Sequence, residues 1–268
     1  MTNSKLVIDH TRGLESAEVV NQITSLMEYL YRCGEFNGCI LISLKGEIYK
    51  KAFGKSNFET NQQFSVSTPT CIASLSKQFK AVGTLMLHEK KTLQLDDLIE
   101  TYLPEFTGYP QPVTIRHLLT HSSGLPDLDN MGIDHPKLTT QEILQALSRH
   151  NVPVRRPGEC YEYISTGYEL LTAILERTSN MSLLTFFEKN IFAPLGMTST
   201  FFFDGTMNKP SSTALSYNDY GRQDKFDTFS EGDQGIYSSA IDLFKWNAGL
   251  FSGSLVSKSF SEISAHRA

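Results

Sequence analysis

Two short β-prone runs, followed by a long series of helical segments, are the feature that most constrains the fold of this chain. The runs at 38–44 and 47–53 are joined by Lys45-Gly46, and a glycine turn between two such runs is typical of a β-hairpin. A polar stretch at 55–70 contains Pro69 and is interpreted as a crossing loop. Apolar residues at helical spacing dominate after that loop. We therefore predict an α+β protein with an inserted all-helical part.

Helical periodicity covers most of the remaining chain. Residues 16–32 carry apolar side chains at intervals that predict an amphipathic helix with one buried stripe, and residues 74–90 repeat the pattern. Further helices are predicted at about 96–103, 113–120, 140–149, 166–178, 182–192 and 239–251.

This order of elements predicts three parts in a chain of 268 residues. Residues 1–65, with the first helix and the hairpin, form the N-terminal part of an α/β domain. Residues 66–230 form a mainly helical domain. Residues 231–268 return toward the α/β domain and leave it incomplete.

Composition excludes several classes of partner. Lys and Arg number 24 and Asp and Glu number 29, so the net charge is −5 and nucleic acid is not an expected partner. No apolar run approaches the ~18 residues of a membrane span. The four cysteines have no paired C-x-x-C spacing, and the N-terminus has no secretory pattern. We expect a cytoplasmic, reduced protein that does not bind membranes.

The tetrapeptide Ser74-Leu75-Ser76-Lys77 is the first candidate for chemistry. A serine in the first turn of a helix lies beside unpaired backbone N–H groups, which stabilise developing negative charge. Lys77 lies one turn further on the same face and can reach the serine oxygen. A lysine partly removed from water can lose its proton and activate that hydroxyl. The alternative is that Ser74 or Ser76 caps the helix and Lys77 is solvated.

The second candidate is Tyr163-Ile164-Ser165, just before the predicted helix at 166–178. A tyrosine held beside a lysine ionises more easily and can serve as a general base. The alternative is structural: Tyr161, Tyr163 and Tyr168 are core aromatic residues, and Ser165 or Thr166 is a helix N-cap.

A zinc site is a third interpretation, based on His117 and His121 at i and i+4. The H-E-x-x-H pattern and an obvious third ligand are both missing, so a structural role at a helix end is favoured. The sequence also has no G-x-S-x-G elbow for a histidine-based serine triad, and no Gly-rich phosphate loop.

Taken together, seven segments resemble the serine β-lactamase and penicillin-binding-protein-like family, in its class C β-lactamase, esterase and D-aminopeptidase branch. The segments are 38–54, 72–79, 93–104, 114–126, 157–171, 192–197 and 232–243. The resemblance runs from about residue 20 to the end of the chain. It implies a β-lactamase/transpeptidase-like fold, with an antiparallel sheet, flanking helices and an inserted all-helical domain.

The resemblance also implies roles for individual residues. Ser74 matches the acylated nucleophile, Lys77 matches the lysine that helps to deprotonate it, and Tyr163 matches the tyrosine base or proton relay. Ser165 matches the position at which β-lactamases of this type usually carry an asparagine that contacts the substrate amide and the lysine. Serine is shorter and offers one hydroxyl instead of an amide, which is compatible with an esterase.

One departure from the family pattern affects the end of the chain. Proteins of this kind carry a third motif, Lys-Thr-Gly or His-x-Gly, on an edge strand, and no such triplet follows Tyr163. We expect a C-terminally truncated member whose remaining strands are missing. Loss of one of two oxyanion donors typically lowers turnover by about 10²–10³. Weak activity and poor solubility are therefore expected, unless a partner chain completes the sheet.

The functional expectation is a serine hydrolase that forms an acyl-enzyme on a small ester, amide or β-lactam carbonyl. An esterase-like activity is preferred, and no metal or organic cofactor is implied. The alternatives are a catalytically impaired fragment or non-catalytic binding module of the same fold, and a β-lactamase or D-alanyl peptidase.

Overall fold

A computed structural model describes residues 16–131, 139–149, 154–203, 208–218, 221–223 and 235–257. The chain divides into two compact units between Thr68 and Pro69. In the described ranges, no helix combines the length and the apolar character needed to cross a bilayer.

The first unit contains helix α1 (Ser16–Arg32) and an antiparallel hairpin of β1 (Gly38–Leu44) and β2 (Glu47–Phe53). The predicted helix at 16–32 and the predicted strands at 38–44 and 47–53 are confirmed, with the same first and last residues. Lys45 and Gly46 both have positive φ, 50° and 88°. Such a two-residue turn matches the right-handed twist of the two strands that it joins.

Residues 55–70, predicted as a loop, contain short strands instead. Strand β3 (Lys55–Asn57) pairs with β4 (Gln62–Gln63), and β5 (Thr70–Cys71) begins the second unit. The loop prediction is wrong at these positions because strands of two or three mainly polar residues are too short to show a period-2 pattern.

The second unit is mainly helical, and five of its predicted helices are confirmed, as is α1 of the first unit, each with ends within two residues of the prediction. The five are α2 (Ser76–Glu89), α3 (Ile115–Leu119), α4 (Thr140–Arg149), α5 (Thr166–Ser179) and α8 (Ala240–Ser252). Between α5 and α8, the short helices α6 (Leu183–Phe187) and α7 (Ala193–Leu195) flank a π-helical turn, Glu188–Phe192. The predicted single helix at 182–192 is therefore an α-helix that widens into a π turn.

The predicted helix at 96–103 is wrong. Only Ile99–Thr101 form a 3-10 turn, because the N–H of Ile99 donates to the carbonyl of Val113, 3.0 Å away, and not along a helix. The carboxylate of Asp97 also accepts a 2.5 Å hydrogen bond from the hydroxyl of Tyr102. The main-chain bond to Val113 and the side-chain bond within the segment hold the backbone out of a regular helix.

Helices α2 and α5 form the centre of the second unit. The first ten residues of α5 are all buried, which explains why it is apolar around most of its circumference. On α2, Phe79 is fully buried and its ring stacks on Trp246 of α8 with a centroid distance of 3.9 Å. A Cβ on Gly83 would lie 2.9 Å from the ring of Phe186, so glycine permits this close approach of α2 to α6.

A three-stranded antiparallel sheet lies in the same unit. Strand β7 (Ile236–Ser238) is fully buried and pairs with β5 on one side and with β6 (Phe201–Phe202) on the other. No strand is predicted at 236–238 or at 201–202 from the sequence. Strands of two or three residues are too short to show a pattern in the sequence. Strand β7 nevertheless pairs with two distant strands, β5 and β6.

Candidate active site

Ser74 lies on a tight turn between β5 and α2. The turn, Ala73–Leu75, is 3-10 helical and continues directly into α2, so Ser74 stands just before the helix and not within it. Ala73 has a φ of 45°, a left-handed conformation that costs a non-glycine residue about 1–2 kcal/mol. The turn leaves the Ser74 side chain exposed. An exposed hydroxyl on a strained turn is suited to act as a nucleophile.

Strand β7 holds this turn from both sides. The carbonyl of Ile236 accepts a hydrogen bond of 3.1 Å from the N–H of Ile72, and the N–H of Ile236 donates one of 3.3 Å to the hydroxyl of Ser76. Ser76 is fully buried. Its side chain therefore anchors the nucleophile segment to β7, and neither Ser76 nor Ser74 caps α2 through its side chain.

Lys77 lies within reach of the candidate nucleophile. Its Nζ donates to Ser74 Oγ at 3.3 Å, the contact that the i, i+3 spacing predicts. Lys77 is only 5% exposed, so the alternative of a solvated lysine is wrong. An amine removed from water beside an exposed hydroxyl can exchange a proton with that hydroxyl.

Two tyrosine rings lie beside the Lys77 amine. Nζ is 5.1 Å from the ring centroid of Tyr163 and 6.0 Å from that of Tyr168, distances at which a cation interacts with an aromatic ring. Tyr163 is 50% exposed and Tyr161 is also exposed, so neither is a core aromatic residue. Tyr168 is buried, as the structural alternative predicts.

Burial separates the two tyrosines chemically. It raises the pKa of Tyr168 to about 12, with a further contribution from the neighbouring Tyr163. The Tyr168 hydroxyl donates to the carbonyl of Leu119 at 3.3 Å. Tyr168 therefore stays protonated at neutral pH, and Tyr163 is the more exposed of the two tyrosines.

Ser165 is the residue just before α5. Its side chain makes no capping bond to the helix, and its carbonyl accepts from the N–H groups of Tyr168 and Glu169. The hydroxyl of Thr166 donates to the carbonyl of Pro126 at 2.8 Å, so it does not cap the helix either. Ser165 is thus the N-cap residue by position, as the structural alternative predicts, but neither side chain makes a capping bond to the helix.

The structure brings His121 into the same cluster. Its ring centroid is 4.5 Å from that of Tyr163 and 5.0 Å from that of Tyr168. The sequence predicts this histidine only as a structural residue or a zinc ligand, and Ser76 only as a helix cap. No sequence signal shows that either residue belongs to the site, because Tyr163 lies 42 positions from His121 and Ile236 lies 160 positions from Ser76.

The zinc interpretation finds no support in the structure. The Nδ1 of His117 accepts from the N–H of Thr114 at 3.2 Å and completes the N-terminal cap of α3. Across the described part of the chain, no group of three or more His, Cys, Asp or Glu side chains is arranged to hold a metal ion.

Comparison with known proteins places these observations in a wider context. The family model described as Beta-lactamase matches residues 39–266. Penicillin-binding protein 4* of Bacillus subtilis is 30% identical over 263 residues, which cover 90% of this chain and 58% of that protein. The chain thus spans less than two thirds of the length of this curated relative.

Solved structures show the same fold. The octameric penicillin-binding protein homologue from Pyrococcus abyssi is 29% identical, with a TM-score of 0.75 over 92% of this chain and 59% of that one. The D-amino acid amidase from Ochrobactrum anthropi SV3, complexed with L-phenylalanine, is 25% identical, with a TM-score of 0.74 over 91% and 72%. These likenesses confirm the predicted β-lactamase/transpeptidase-like fold, here with several small antiparallel sheets among helices.

Proposed function

Because the chain belongs to the Beta-lactamase family, a family of serine hydrolases, we propose that it hydrolyses a carboxylic ester or amide through an acyl-enzyme on Ser74. One observation carries the proposal. The exposed hydroxyl of Ser74 lies 3.3 Å from the amine of the buried Lys77. Capping or surface solvation would not require a lysine to be buried at that distance from a serine.

Acylation begins with attack of Ser74 Oγ on the substrate carbonyl carbon when the Lys77 amine has given up its proton, and the hydroxyl proton passes to that amine. The C–O bond forms as the carbonyl π electrons move to oxygen. The main-chain N–H of Ser74, at the start of the helical segment, donates to that oxyanion. Collapse of the intermediate breaks the bond to the leaving group, which takes a proton from the Lys77–Tyr163 pair.

Deacylation repeats these steps with water. Tyr163 passes its hydroxyl proton to the Lys77 amine as it accepts a proton from the water that attacks the acyl carbon, and Lys77 returns a proton to the departing Ser74 Oγ. The product is a carboxylic acid. The Tyr163 ring lies beside the Lys77 amine, 5.1 Å from Nζ to centroid, which supports a shared proton path.

Ser165 supports an esterase-like substrate. A serine offers one hydroxyl where the resembled β-lactamases use an amide group toward the substrate amide. The exposed rings of Tyr161 and Tyr163 add an apolar face to the site. A neutral acyl ester needs fewer directed hydrogen bonds than a peptide, and its alkoxide leaving group is expelled more easily than an amine.

The second candidate is reaction with β-lactams. It is favoured by the 30% identity to a protein named as penicillin-binding. A β-lactam would acylate the same Ser74, so the two candidates differ in the substrate and not in the nucleophile.

Intact-mass measurement after treatment with a fluorophosphonate tests the proposal. The parent chain should gain one adduct and Ser74→Ala none, whereas Ser148→Ala, a partly exposed serine on α4, should react as the parent does. Short-chain p-nitrophenyl esters and a chromogenic cephalosporin then separate the two substrate classes. A folded parent without an adduct would contradict the serine-hydrolase proposal and favour a non-catalytic binding module.

A further inference from the structure

His121 follows α3 in an unusual backbone conformation. Its φ is 50°, in the left-handed region that few non-glycine residues adopt. Its carbonyl accepts from the N–H of Glu162 at 2.8 Å, and the carbonyl of Ser122 accepts from the N–H of Gly158 at 2.8 Å. These bonds join the turn after α3 to the segment that carries Tyr163.

The His121 ring packs against that same segment. Its plane is inclined by 31° to both the Tyr163 and the Tyr168 rings, and it makes a T-shaped contact with the Tyr161 ring at a centroid distance of 5.9 Å. The N–H of Ile164, next to Tyr163, points at His121 Nδ1 from 3.4 Å. A nitrogen that accepts this bond carries no proton, so the neutral ring is protonated at Nε2.

Lys77 and His121 thus share two aromatic neighbours. The Lys77 amine lies beside the rings of Tyr163 and Tyr168, and the imidazole packs against the same two rings. Tyr168 is buried on α5, and its hydroxyl donates to the carbonyl of Leu119. Tyr163 is half exposed, and the residue after it is tied to the imidazole.

We infer that His121 is a positioning residue for the proposed reaction: its neutral imidazole holds Tyr163 beside Lys77 through ring packing and the Ile164 hydrogen bond. This inference rests on the proposed function for its catalytic consequence. Its structural part is that the position of Tyr163 depends on the protonation of His121, which can be measured without any turnover.

Protonation of His121 opposes this arrangement in two ways. A protonated Nδ1 is a donor, so it can no longer accept from the Ile164 N–H. A second positive charge would also lie near Lys77. The titratable groups packed around the ring are Lys77 from α2, Tyr168 from α5, and Tyr161 and Tyr163 from the segment before α5.

Burial, assisted by the charge of Lys77, holds the pKa of His121 below its ordinary 6.5. The imidazole therefore stays neutral as the pH falls through 6.5 and becomes charged only at the lower folded-state pKa. The acylation rate should remain high down to that point and fall below it.

Labelling kinetics test the catalytic consequence. The rate of fluorophosphonate reaction at Ser74 is measured from about pH 5 to about pH 8 for the parent, His121→Phe and His121→Asn. Phe keeps a ring but has no acceptor, and we expect a loss of about 10- to 100-fold, the size expected from a small misplacement of a catalytic group. The part of the acid decline that comes from His121 should also disappear. Asn tolerates the left-handed backbone and keeps an acceptor, so it should retain more activity at neutral pH than Phe.

His117→Asn is the matched control. This histidine is half-buried four residues earlier and makes its bond to Thr114, away from the tyrosines, and burial also lowers its pKa. It should lose stability but keep the labelling rate and pH profile of the parent. An unchanged rate and acid decline in folded His121→Phe would overturn the catalytic part of the inference.

A titration followed by NMR tests the structural part without any turnover. In the Ser74→Ala chain, the Ile164 amide and Tyr163 ring signals should shift together with the His121 imidazole signals, at one midpoint below 6.5. Tyr163 signals that ignore the titration of His121 would overturn the inference even if the parent is an active hydrolase. If the parent does not react with the fluorophosphonate but the Ser74→Ala chain still shows the joint titration, only the proposed function is contradicted.

Discussion

The main-chain N–H of Ile236 donates a 3.3 Å hydrogen bond to the hydroxyl of Ser76 across 160 residues of sequence. The carbonyl of the same residue accepts from the N–H of Ile72. These two bonds lie on either side of Ser74. The position of the candidate nucleophile therefore depends on a three-residue strand in the last part of the described chain.

Ser76→Ala should weaken both the fold and the site. It leaves the buried N–H of Ile236 without this acceptor, which costs about 1–3 kcal/mol. The turn with the left-handed Ala73 loses one of its restraints, so the rate of fluorophosphonate labelling at Ser74 should also fall. Urea unfolding and labelling kinetics measure the two effects.

Ser148→Ala supplies the control for this substitution. Its hydroxyl is partly exposed and donates to the carbonyl of Gln145, three residues earlier on the same helix. Both stability and labelling should match the parent. Equal labelling rates in folded Ser76→Ala and Ser148→Ala would show that the Ile236 contact has no part in positioning Ser74.

Tyr163→Phe should separate chemistry from packing. The ring remains to pack on His121 and Lys77, whereas the hydroxyl that we assign to proton transfer is lost. We expect hydrolysis of a p-nitrophenyl ester to fall by about 10²–10⁴, the usual contribution of a general acid–base group. Thermal unfolding should be unchanged. Tyr29→Phe, an exposed tyrosine of α1, should keep full activity; a similar loss in both variants would argue against a specific role for Tyr163.

Lys77→Arg and Lys77→Met should both lose Ser74 labelling, by at least about 10². Arginine keeps the positive charge but does not give up its proton in proteins, and methionine has no amine at all. Labelling that survives in Lys77→Arg would indicate that the charge alone is needed. Lys189→Met, on the exposed side of the π turn, is the control and should react as the parent does.

Arg177→Ala should remove an acid-sensitive contribution to stability. The Arg177 guanidinium makes two bonds to Glu105, of 2.6 and 2.9 Å, and thereby lowers the pKa of Glu105 from 4.5 to about 2. A lowered carboxyl pKa stabilises the fold above 4.5, and this contribution is lost as the pH falls from 4.5 toward 2. The variant should be about 1–2 kcal/mol less stable than the parent at neutral pH, with the gap narrowing in acid.

Arg116→Ala gives the comparison for an exposed pair. Arg116 binds both oxygens of Asp96, at 2.7 and 2.8 Å, but both side chains are largely exposed. Its loss should cost less than about 1 kcal/mol. The urea midpoints of both variants, measured across the acid range, distinguish the two pairs. Equal losses of unfolding free energy in the two variants would show that partial burial does not strengthen the Arg177–Glu105 pair.

The sequence by itself determined the features that depend on near neighbours. Helix α1, the hairpin and α5 follow from periodicity and turn chemistry, and the contact of Lys77 with Ser74 follows from an i, i+3 spacing. The resemblance of ordered segments predicted the fold, which the solved structures confirm.

Only the tertiary structure decided which distant groups surround that pair. The bond from Ile236 to Ser76 spans 160 positions, and the bond from Ile164 to His121 spans 43. Local periodicity carries no information about such contacts, because they arise when separate elements pack together and bury each other's polar groups. The same packing buried Lys77 and Tyr168 and left Ser74 and Tyr163 exposed, a distinction that residue types alone do not contain.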